Sequence, residues 1–362
     1  MKSLLLRLHG WLGISAGLIL AVVGSTGALL SFEPQILRLL NPGTLVIAPE
    51  SIPMLTPAAL YESVSAARPG RAIQSLTLSG EPDRPAQVVY AKPGNPRGDA
   101  IWVQPYSGEL LPEVRGHKTF HVIEDIHRKL LAGALGKALT GAAALVLVFM
   151  ALSGLYLRWA RRPRGLKGWF TLRRGLNGRP FLWQLHAVGG TWVLIFFLLS
   201  AGTGLSWSYD WYKAGVALAL GAEAPKKPKA KHVQPVAPDV FAARMEQAWP
   251  AFQAQVPSYA SASIALDSLA GDAVKIDYVL VNAAHEREKN TLKFDATGAV
   301  SERKLFAEQP WGERIVSSWK QLHTGLYWGW AGQLVLMLSS LSMLAFFYIG
   351  VRLYFGKAQR AG

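Results

Sequence analysis

The sequence contains no cysteine. This absence excludes disulfide bonds, iron–sulfur clusters and the C-x-x-C-H attachment of a c-type haem. It leaves the compartment open, because exported domains without cysteine are common. Any metal chemistry must therefore use other ligands, and the eight histidines are the first candidates.

The chain also lacks the motifs of nucleotide-dependent enzymes. No G-x-G-x-x-G follows a strand-like run, and no P-loop pattern occurs. The basic segment 158–182 is too short for a nucleotide or flavin domain, and no serine or threonine lies in a nucleophile context. Electrons for any redox reaction would therefore have to come from a separate protein or from a membrane quinol.

Acidic residues are missing from three segments, 1–32, 158–182 and 352–362. These segments carry 13 of the 38 lysines and arginines, whereas the rest of the chain is nearly neutral. Basic residues beside membrane spans mark the cytoplasmic side and contact anionic lipids. Topology and membrane lipids thus explain the net charge of +15, and no nucleic-acid partner is expected.

Four apolar runs are long enough to cross a bilayer, which requires about 20 helical residues. They cover roughly 10–32, 137–157, 187–207 and 333–351. The first run resembles a signal peptide, but its apolar part exceeds the usual signal core and no A-x-A site follows. We therefore expect an uncleaved first span, both termini in the cytoplasm, and segments 33–136 and 208–332 outside.

The sequence contains an internal duplication, in which the first two spans match the last two. An offset of 177 residues aligns the first span with the third, pairing His9 with His186, Thr26 with Thr203, and Gly27 with Gly204. An offset of 196 residues aligns the second span with the fourth, pairing His127 with His323, Gly133 with Gly329, and Gly154 with Gly350.

The two outside segments match in outline as well. Each begins with an amphipathic helix pattern and continues with alternating, strand-like runs such as "AQVVYAK" and "KIDYVLVN". The predicted fold is a membrane α+β protein, with four transmembrane helices and two periplasmic αβββ domains arranged as an internal duplication. The repeats are parallel, because each contains two crossings.

The expected domain boundaries follow from these patterns. Transmembrane helices are predicted at 1–33, 117–160, 183–208 and 313–355, the second and fourth with periplasmic extensions. Periplasmic domains are predicted at 34–116 and 209–312, a basic cytoplasmic loop at 161–182, and a cytoplasmic tail at 356–362.

Four histidines are related by the duplication, and the topology sorts them by depth. His9 and His186 lie near the inner face, whereas His127 and His323 lie near the outer face. Two neutral imidazoles at the same depth on different helices form a bis-axial haem site. We therefore expect two haems b, one ligated by His9 and His186 and one by His127 and His323. The alternative is four interfacial histidines that only pack or hydrogen-bond.

The other histidines carry weaker signals. His117 and His121 are spaced i, i+4 and could hold a metal with Glu124, be solvated, or supply His121 as a haem ligand in place of His127. His232 in a Lys/Pro-rich loop and His285 in a hairpin are given no role. The third span from His186 to Ser208 would be about 33 Å long, so the two haem sites would bracket the bilayer. Trp192 and Phe196 could line that gap or simply pack in the core.

Five elements carry a resemblance to a known family: "RLHGWLG", "EDIHRKLLAG", "LSGLYLRW", "QLHAVGGTW" and "QLHTGLYWGWAG". The chain resembles the PepSY-associated transmembrane family, and within it the inner-membrane ferric-siderophore reductases of FoxB type. The resemblance implies two PepSY-like periplasmic domains and two haems b ligated by His9, His186, His127 and His323. One departure is "LHAVGG", where the family usually has a basic residue after the histidine, which leaves the propionate contacts of the inner haem undefined.

The resulting expectation is a di-haem b oxidoreductase of the bacterial inner membrane. It would pass electrons from a quinol or a cytoplasmic reductase to a periplasmic ferric siderophore, reducing Fe(III) to Fe(II). Tyr327, Trp328 and Trp330 would either dock the siderophore or form an interfacial aromatic belt. Two alternatives are a haem b relay to another periplasmic acceptor or quinone, and a non-enzymatic PepSY module that binds a periplasmic peptidase.

Overall fold

The structure is a computed structural model that describes residues 2–92, 95–161, 165–223, 234–266 and 273–356. His232 lies outside these ranges, as do parts of the basic loop and of the C-terminal tail.

The helices and strands are numbered in chain order within the described residues. The helices are α1 (Lys2–Ser15), α2 (Gly17–Ser31), α3 (Glu33–Leu40), α4 (Pro57–Ala67), α5 (His117–Lys129), α6 (Gly133–Trp159), α7 (Lys167–Phe170), α8 (Gly178–Ser208), α9 (Asp210–Ala219), α10 (Pro238–Gln255), α11 (Trp311–Ser317), α12 (Trp319–Thr324) and α13 (Gly329–Phe355). The strands are β1 (Ile73–Ser79), β2 (Ala86–Lys92), β3 (Asn95–Val103), β4 (Ser261–Ala265), β5 (Val274–Val279), β6 (Asn290–Phe294) and β7 (Val300–Lys304).

The chain divides into a helical unit and a sheet unit. The helical unit comprises Met1–Glu33, Lys118–Ala219 and Trp319–Gly362, and the sheet unit comprises Pro34–His117 and Leu220–Ser318. Helix α9 belongs to the helical unit, although the sequence pattern assigned its residues to the second outside segment.

The helical unit contains three helices that are long and apolar enough to cross a bilayer, namely α6, α8 and the segment Leu326–Phe355. Helices α1 and α2 qualify together as a fourth span that is bent by 56°. The bend follows Ser15 and precedes Gly17, and sharp helix kinks concentrate at such Gly/Ser positions. The described residues thus provide three or four candidate spans, as expected of a membrane protein.

Close helix packing in this unit depends on small residues. Helix α13 packs against α2 and α8, and α6 packs against α8 and α1. A Cβ at Gly24 would collide with the Ser340 backbone and with Met343, so glycine allows α2 and α13 to approach closely, as is usual between membrane helices. Gln333 donates a hydrogen bond to the Ser31 carbonyl across the same contact.

The sheet unit contains one antiparallel sheet with the strand order β3-β2-β1-β4-β5-β6-β7. The two outside segments therefore share a sheet, which they join through β1 and β4 in the register Leu76↔Ile264. The two segments differ at their last strand. In the first segment the residues after β3 form a single bridge, Val103↔Leu110, whereas in the second segment they form the strand β7.

Helices α4 and α10 pack on each other and on the strands β1 and β5. Helix α4 starts at a capped N-terminus, because Thr56 accepts a hydrogen bond from the Ala59 amide and Pro57 occupies the first turn. The alternating residues of the strands face these helices and form one hydrophobic core. Tyr61 and Phe241 stack within it with ring centroids 4.2 Å apart.

Candidate haem sites

Two pairs of histidine rings face each other in the helical unit. His9 on α1 and His186 on α8 have ring centroids 6.2 Å apart and ring planes inclined by 79°. His127 on α5 and His323 on α12 have ring centroids 6.2 Å apart and ring planes inclined by 66°. The structure therefore brings together the same partners that the duplication selects, His9 with His186 and His127 with His323.

The ring spacing suits one metal ion between each pair. A metal–imidazole nitrogen bond is about 2.0–2.1 Å long, so two imidazoles on opposite sides of one metal have centroids roughly 6 Å apart. The spacing alone does not select a metal, because aromatic pairs also pack at about 4.5–7 Å. The hydrogen bonds of the ring nitrogens show which nitrogen of each ring is free to bind a metal.

Hydrogen bonds fix the tautomer of His127. Its Nδ1 lies 2.9 Å from the Val23 carbonyl oxygen and 3.3 Å from Thr26 Oγ1. A carbonyl oxygen only accepts, so Nδ1 carries the proton and donates it. The lone pair of the neutral ring is therefore on Nε2, where it is available to a metal.

Thr203 fixes the tautomer of His323 in the same way. Thr203 Oγ1 lies 2.8 Å from His323 Nδ1 and donates its own proton to the Leu199 carbonyl at 2.6 Å. The hydroxyl oxygen thus accepts a hydrogen bond from Nδ1–H, and Nε2 carries the lone pair of the neutral ring. Burial lowers the pKa of His127 and lowers the pKa of His323 to about 3, so both rings are neutral, which is the form that binds metals.

The inner pair is anchored on one side only. His9 Nδ1 lies 2.8 Å from Ser153 Oγ, and this hydroxyl donates to the Met150 carbonyl at 3.3 Å. His186 Nδ1 is buried and has no hydrogen-bond partner among the described residues. The His186 ring instead meets the Phe346 ring edge-on at 5.1 Å.

Glycines leave space beside three of the four rings. A Cβ at Gly27 would lie 2.9 Å from Cε1 of His127, a Cβ at Gly204 would lie 3.4 Å from Cε1 of His323, and a Cβ at Gly154 would lie 3.3 Å from Cε1 of His9. The Gly27 distance is too short for a real contact, so alanine there would displace the His127 ring. Bare backbone at these points lets an imidazole approach the helix closely.

The family comparison is consistent with this geometry. The family model described as "PepSY-associated TM region" matches residues 6–357. The chain belongs to this family. A search of curated proteins found no match.

The match to the PepSY-associated transmembrane family includes all four paired histidines, and it makes the chain a membrane protein together with the candidate spans. The remaining histidines lie elsewhere. His117 and His121 are exposed, and Glu124 is bound to Arg128 at 2.7 Å. Among the described residues no group of three or more metal-ligating side chains occurs, and it is His127, not His121, that faces His323.

The aromatic residues beside His186 differ from those that the sequence singled out. Trp192 is 59% exposed, and its Nε1 donates to the Phe170 carbonyl. The Phe346 ring, which contacts His186, instead lies 5.7 Å from the Phe197 ring. Phe197 belongs to the buried cluster of Leu147, Phe197, Ala201 and Met343. The apolar core beside His186 is therefore formed by phenylalanines that periodicity alone did not single out.

Arg158 is a buried cation on α6, the helix that also carries Ser153. Its Nη2 donates to the carbonyls of Gly168 at 3.1 Å and Trp169 at 2.7 Å. Its Nε and Nη1 are buried and have no partner among the described residues. Arg158 follows Gly154 by one helical turn, so it lies on the face of α6 that meets His9. Segment 158–182 contains no acidic residue. The carboxylate of a bound ligand would therefore suit the Arg158 guanidinium as a hydrogen-bond acceptor.

These residues fit a b-type haem at both sites. Each site offers two imidazoles on different helices, and three of the four rings have Nδ1 bound to oxygen. Arg158, on the face of α6 that meets His9, offers a guanidinium suited to a propionate. His9 and His186 would hold one haem and His127 and His323 the other, and when bound the haems would supply one-electron chemistry at iron.

Proposed function

We propose that the protein is a transmembrane di-haem b oxidoreductase, which passes electrons from the cytoplasmic or membrane side to a periplasmic ferric siderophore. The observation that carries this proposal is the two histidine pairs, each with ring centroids 6.2 Å apart. They lie toward opposite ends of α8, because His186 belongs to one pair and Thr203 holds a ligand of the other. Their separation of 17 positions corresponds to about 26 Å of helix, close to the thickness of a bilayer core.

The ligand set favours electron transfer over substrate coordination. Two histidines would hold both axial positions of each iron, so no coordination site would remain for a substrate. A ferric siderophore suits such a donor, because its hard oxygen ligands hold Fe(III) far more strongly than Fe(II). Reduction would therefore release the iron.

The charge pattern supports an orientation in the bacterial inner membrane. The acid-free segments 1–32, 158–182 and 352–362 would face the cytoplasm by the positive-inside rule. Electrons would then enter near His9 and His186, from a quinol or a cytoplasmic reductase, and leave near His127 and His323.

The exposed aromatic residues that follow His323 support an outer docking site. Tyr327, Trp328 and Trp330 are 38%, 53% and 72% exposed. They would receive the siderophore, or they would anchor the helix at the membrane interface.

We further propose that the chain is a duplicated span–αβββ–span unit whose two sheet segments are PepSY domains. The sheet order β3-β2-β1-β4-β5-β6 supports this, because the strands of the two segments run outward from the β1–β4 junction in matching sequence. The hydroxyl anchors support it as well, since Thr26 and Thr203 are related by the same offset as His9 and His186.

The purified protein is expected to contain two haems b per chain. Two histidine pairs are available, and covalent attachment is excluded because cysteine is absent. Pyridine haemochrome analysis should give close to two haems per polypeptide, and dithionite should shift and sharpen the Soret band. A value near zero in cells supplied with haem would contradict the proposal and favour a non-enzymatic PepSY module.

Replacing Arg158 with glutamine is expected to weaken retention of the inner haem. Loss of a charge-assisted hydrogen bond costs about 1.5–3 kcal/mol, which corresponds to roughly ten- to hundredfold in affinity. The measurement is competition between haem and haem dimethyl ester, which lacks free carboxylates, during reconstitution of the apoprotein. Wild-type protein should prefer haem at the inner site, and Arg158→Gln should lose that preference.

The matched control is Arg161→Gln, because Arg161 lies on the same basic stretch but is exposed. It should bind both haems as wild type does. Equal discrimination against the ester by wild type and Arg158→Gln would show that Arg158 does not hold a propionate.

A further inference from the structure

Three of the four candidate haem ligands are held by a hydroxyl of their own repeat. Thr26 lies against His127, Thr203 against His323 and Ser153 against His9, at oxygen–nitrogen distances of 3.3, 2.8 and 2.8 Å. The offset of 196 that relates His127 to His323 carries Ser153 to Ile349. For the fourth ligand, His186, the residue that corresponds to Ser153 is therefore Ile349, which has no hydroxyl.

Ile349 lies on the helix that contacts His186. Ile349 is buried and follows Phe346 by three residues on α13, so the two side chains share one helix face. Phe346 is the residue whose ring meets His186 edge-on. His186 Nδ1 is buried without a hydrogen-bond partner among the described residues, which is the result expected if isoleucine occupies the place of the serine.

We infer that Ile349 leaves His186 as an unanchored ligand and thereby sets the reduction potential of the inner haem; the inference rests on the proposed function. A hydrogen bond from the distal ring N–H of a metal-bound histidine raises the basicity of the ligand and fixes its orientation. A more basic imidazole stabilises Fe(III) more than Fe(II). Absence of this bond at His186 therefore favours Fe(II) and raises the potential of the inner haem.

The asymmetry affects where electrons enter and leave the protein. With one anchored and one unanchored ligand, the inner haem accepts an electron from a donor more readily than it would with two anchored ligands. The outer haem, with both rings anchored to oxygen, keeps the stronger tendency to give its electron away, so the asymmetry favours electron entry and electron release but not the transfer from the inner to the outer haem. Position 349 is thus a positioning determinant that acts through His186 and does not touch the substrate.

The test compares threonine and valine at position 349, which are nearly isosteric and differ by a hydroxyl. Threonine in a helix can turn its hydroxyl to the backbone carbonyl of the preceding turn, as Thr26 and Thr203 do. Optical redox titration of the full-length protein follows the two haems, and the inner component is the one that remains in His323→Ala.

Relative to Ile349→Val, the Ile349→Thr variant should lower the potential of the inner component and slow the loss of that haem to an acceptor protein. A second-shell hydrogen bond changes metal affinity about ten- to hundredfold, and a tenfold change in preference for Fe(III) corresponds to about 59 mV for one electron. Ser153→Ala should raise the potential of the inner component and speed the loss of the inner haem. Ser153→Thr, which keeps a hydroxyl, should leave both quantities near their wild-type values.

Equal inner potentials in Ile349→Thr and Ile349→Val would overturn the inference while leaving the proposed function standing. The same conclusion would follow if Ser153→Ala shifted neither component. Wild-type protein without haem would instead refute the proposed function itself, so the two failures are distinguishable.

Discussion

Replacing His323 with alanine should remove the outer haem and leave the inner haem in place. The His127 ring would lose the partner that lies 6.2 Å from it, whereas His9 and His186 depend on neither residue. The haem content should fall from about two to about one per chain, and the remaining haem should still be reduced by dithionite. Haemochrome analysis combined with the optical spectrum measures both quantities.

The matched control is His121→Ala. His121 lies on the same helix as His127 but is exposed, so this variant should keep both haems. Loss of a haem from His121→Ala, with His127→Ala unaffected, would mean that the ligand has been assigned to the wrong residue. Loss of the inner haem in His323→Ala would contradict the pairing by depth.

The same His323→Ala variant should be unable to reduce a ferric siderophore, even though its inner haem remains reducible. The inner site lies about 26 Å of helix from the outer one, and the substrate is expected on the outer side. Wild-type protein reduced with dithionite, freed of excess reductant and mixed with a ferric siderophore should reoxidise and release Fe(II) to a ferrous chelator. The variant should show only the rate of the protein-free mixture.

Membrane vesicles of known orientation provide the control for direction. The siderophore should react only from the side opposite the acid-free segments. A His323→Ala variant that reduced the siderophore at the wild-type rate would show that the outer haem is not the terminal donor. Reaction from the cytoplasmic side alone would reverse the proposed orientation.

The histidine pairs could be predicted because the proposed duplication relates the histidines of the two halves of the sequence. Once His9 was aligned with His186 and His127 with His323, the spans assigned each residue a depth. Depth then determined which rings could share an iron, since His9 and His127 belong to one repeat but to different ends of the helical bundle. The predicted spans needed only composition and length, and the three or four candidate spans follow the same runs.

Other features depend on packing that no local pattern contains. The pairing of β1 with β4 joins segments almost 190 residues apart in sequence, and each strand taken alone has the same alternation whether its edge is paired or free. The bend of 56° after Ser15 occurs within a continuous apolar run. Neither feature changes the hydrophobic pattern from which the elements were predicted.

The hydroxyl anchors were only partly visible in the sequence. Thr26 and Thr203 are related by the offset of 177 residues, but serine and threonine are common in membrane helices, where they bond to their own backbone. Only the structure shows that their oxygens also meet the Nδ1 atoms of His127 and His323. Ser153 carried no such signal, because its counterpart is Ile349. Likewise, the sequence did not show that Arg158 is buried, because it is one of eight basic residues in segment 158–182.

The most direct test of the central claim, two haems each held by two histidines, is electron paramagnetic resonance of the fully oxidised protein. Two axial imidazoles make ferric haem low-spin, and ring planes inclined by 79° and 66° should make both signals strongly anisotropic. We expect two such low-spin components in wild type and one in His323→Ala. A high-spin signal accounting for either haem in wild-type protein, or a protein saturated with haem that shows a single site, would contradict the account.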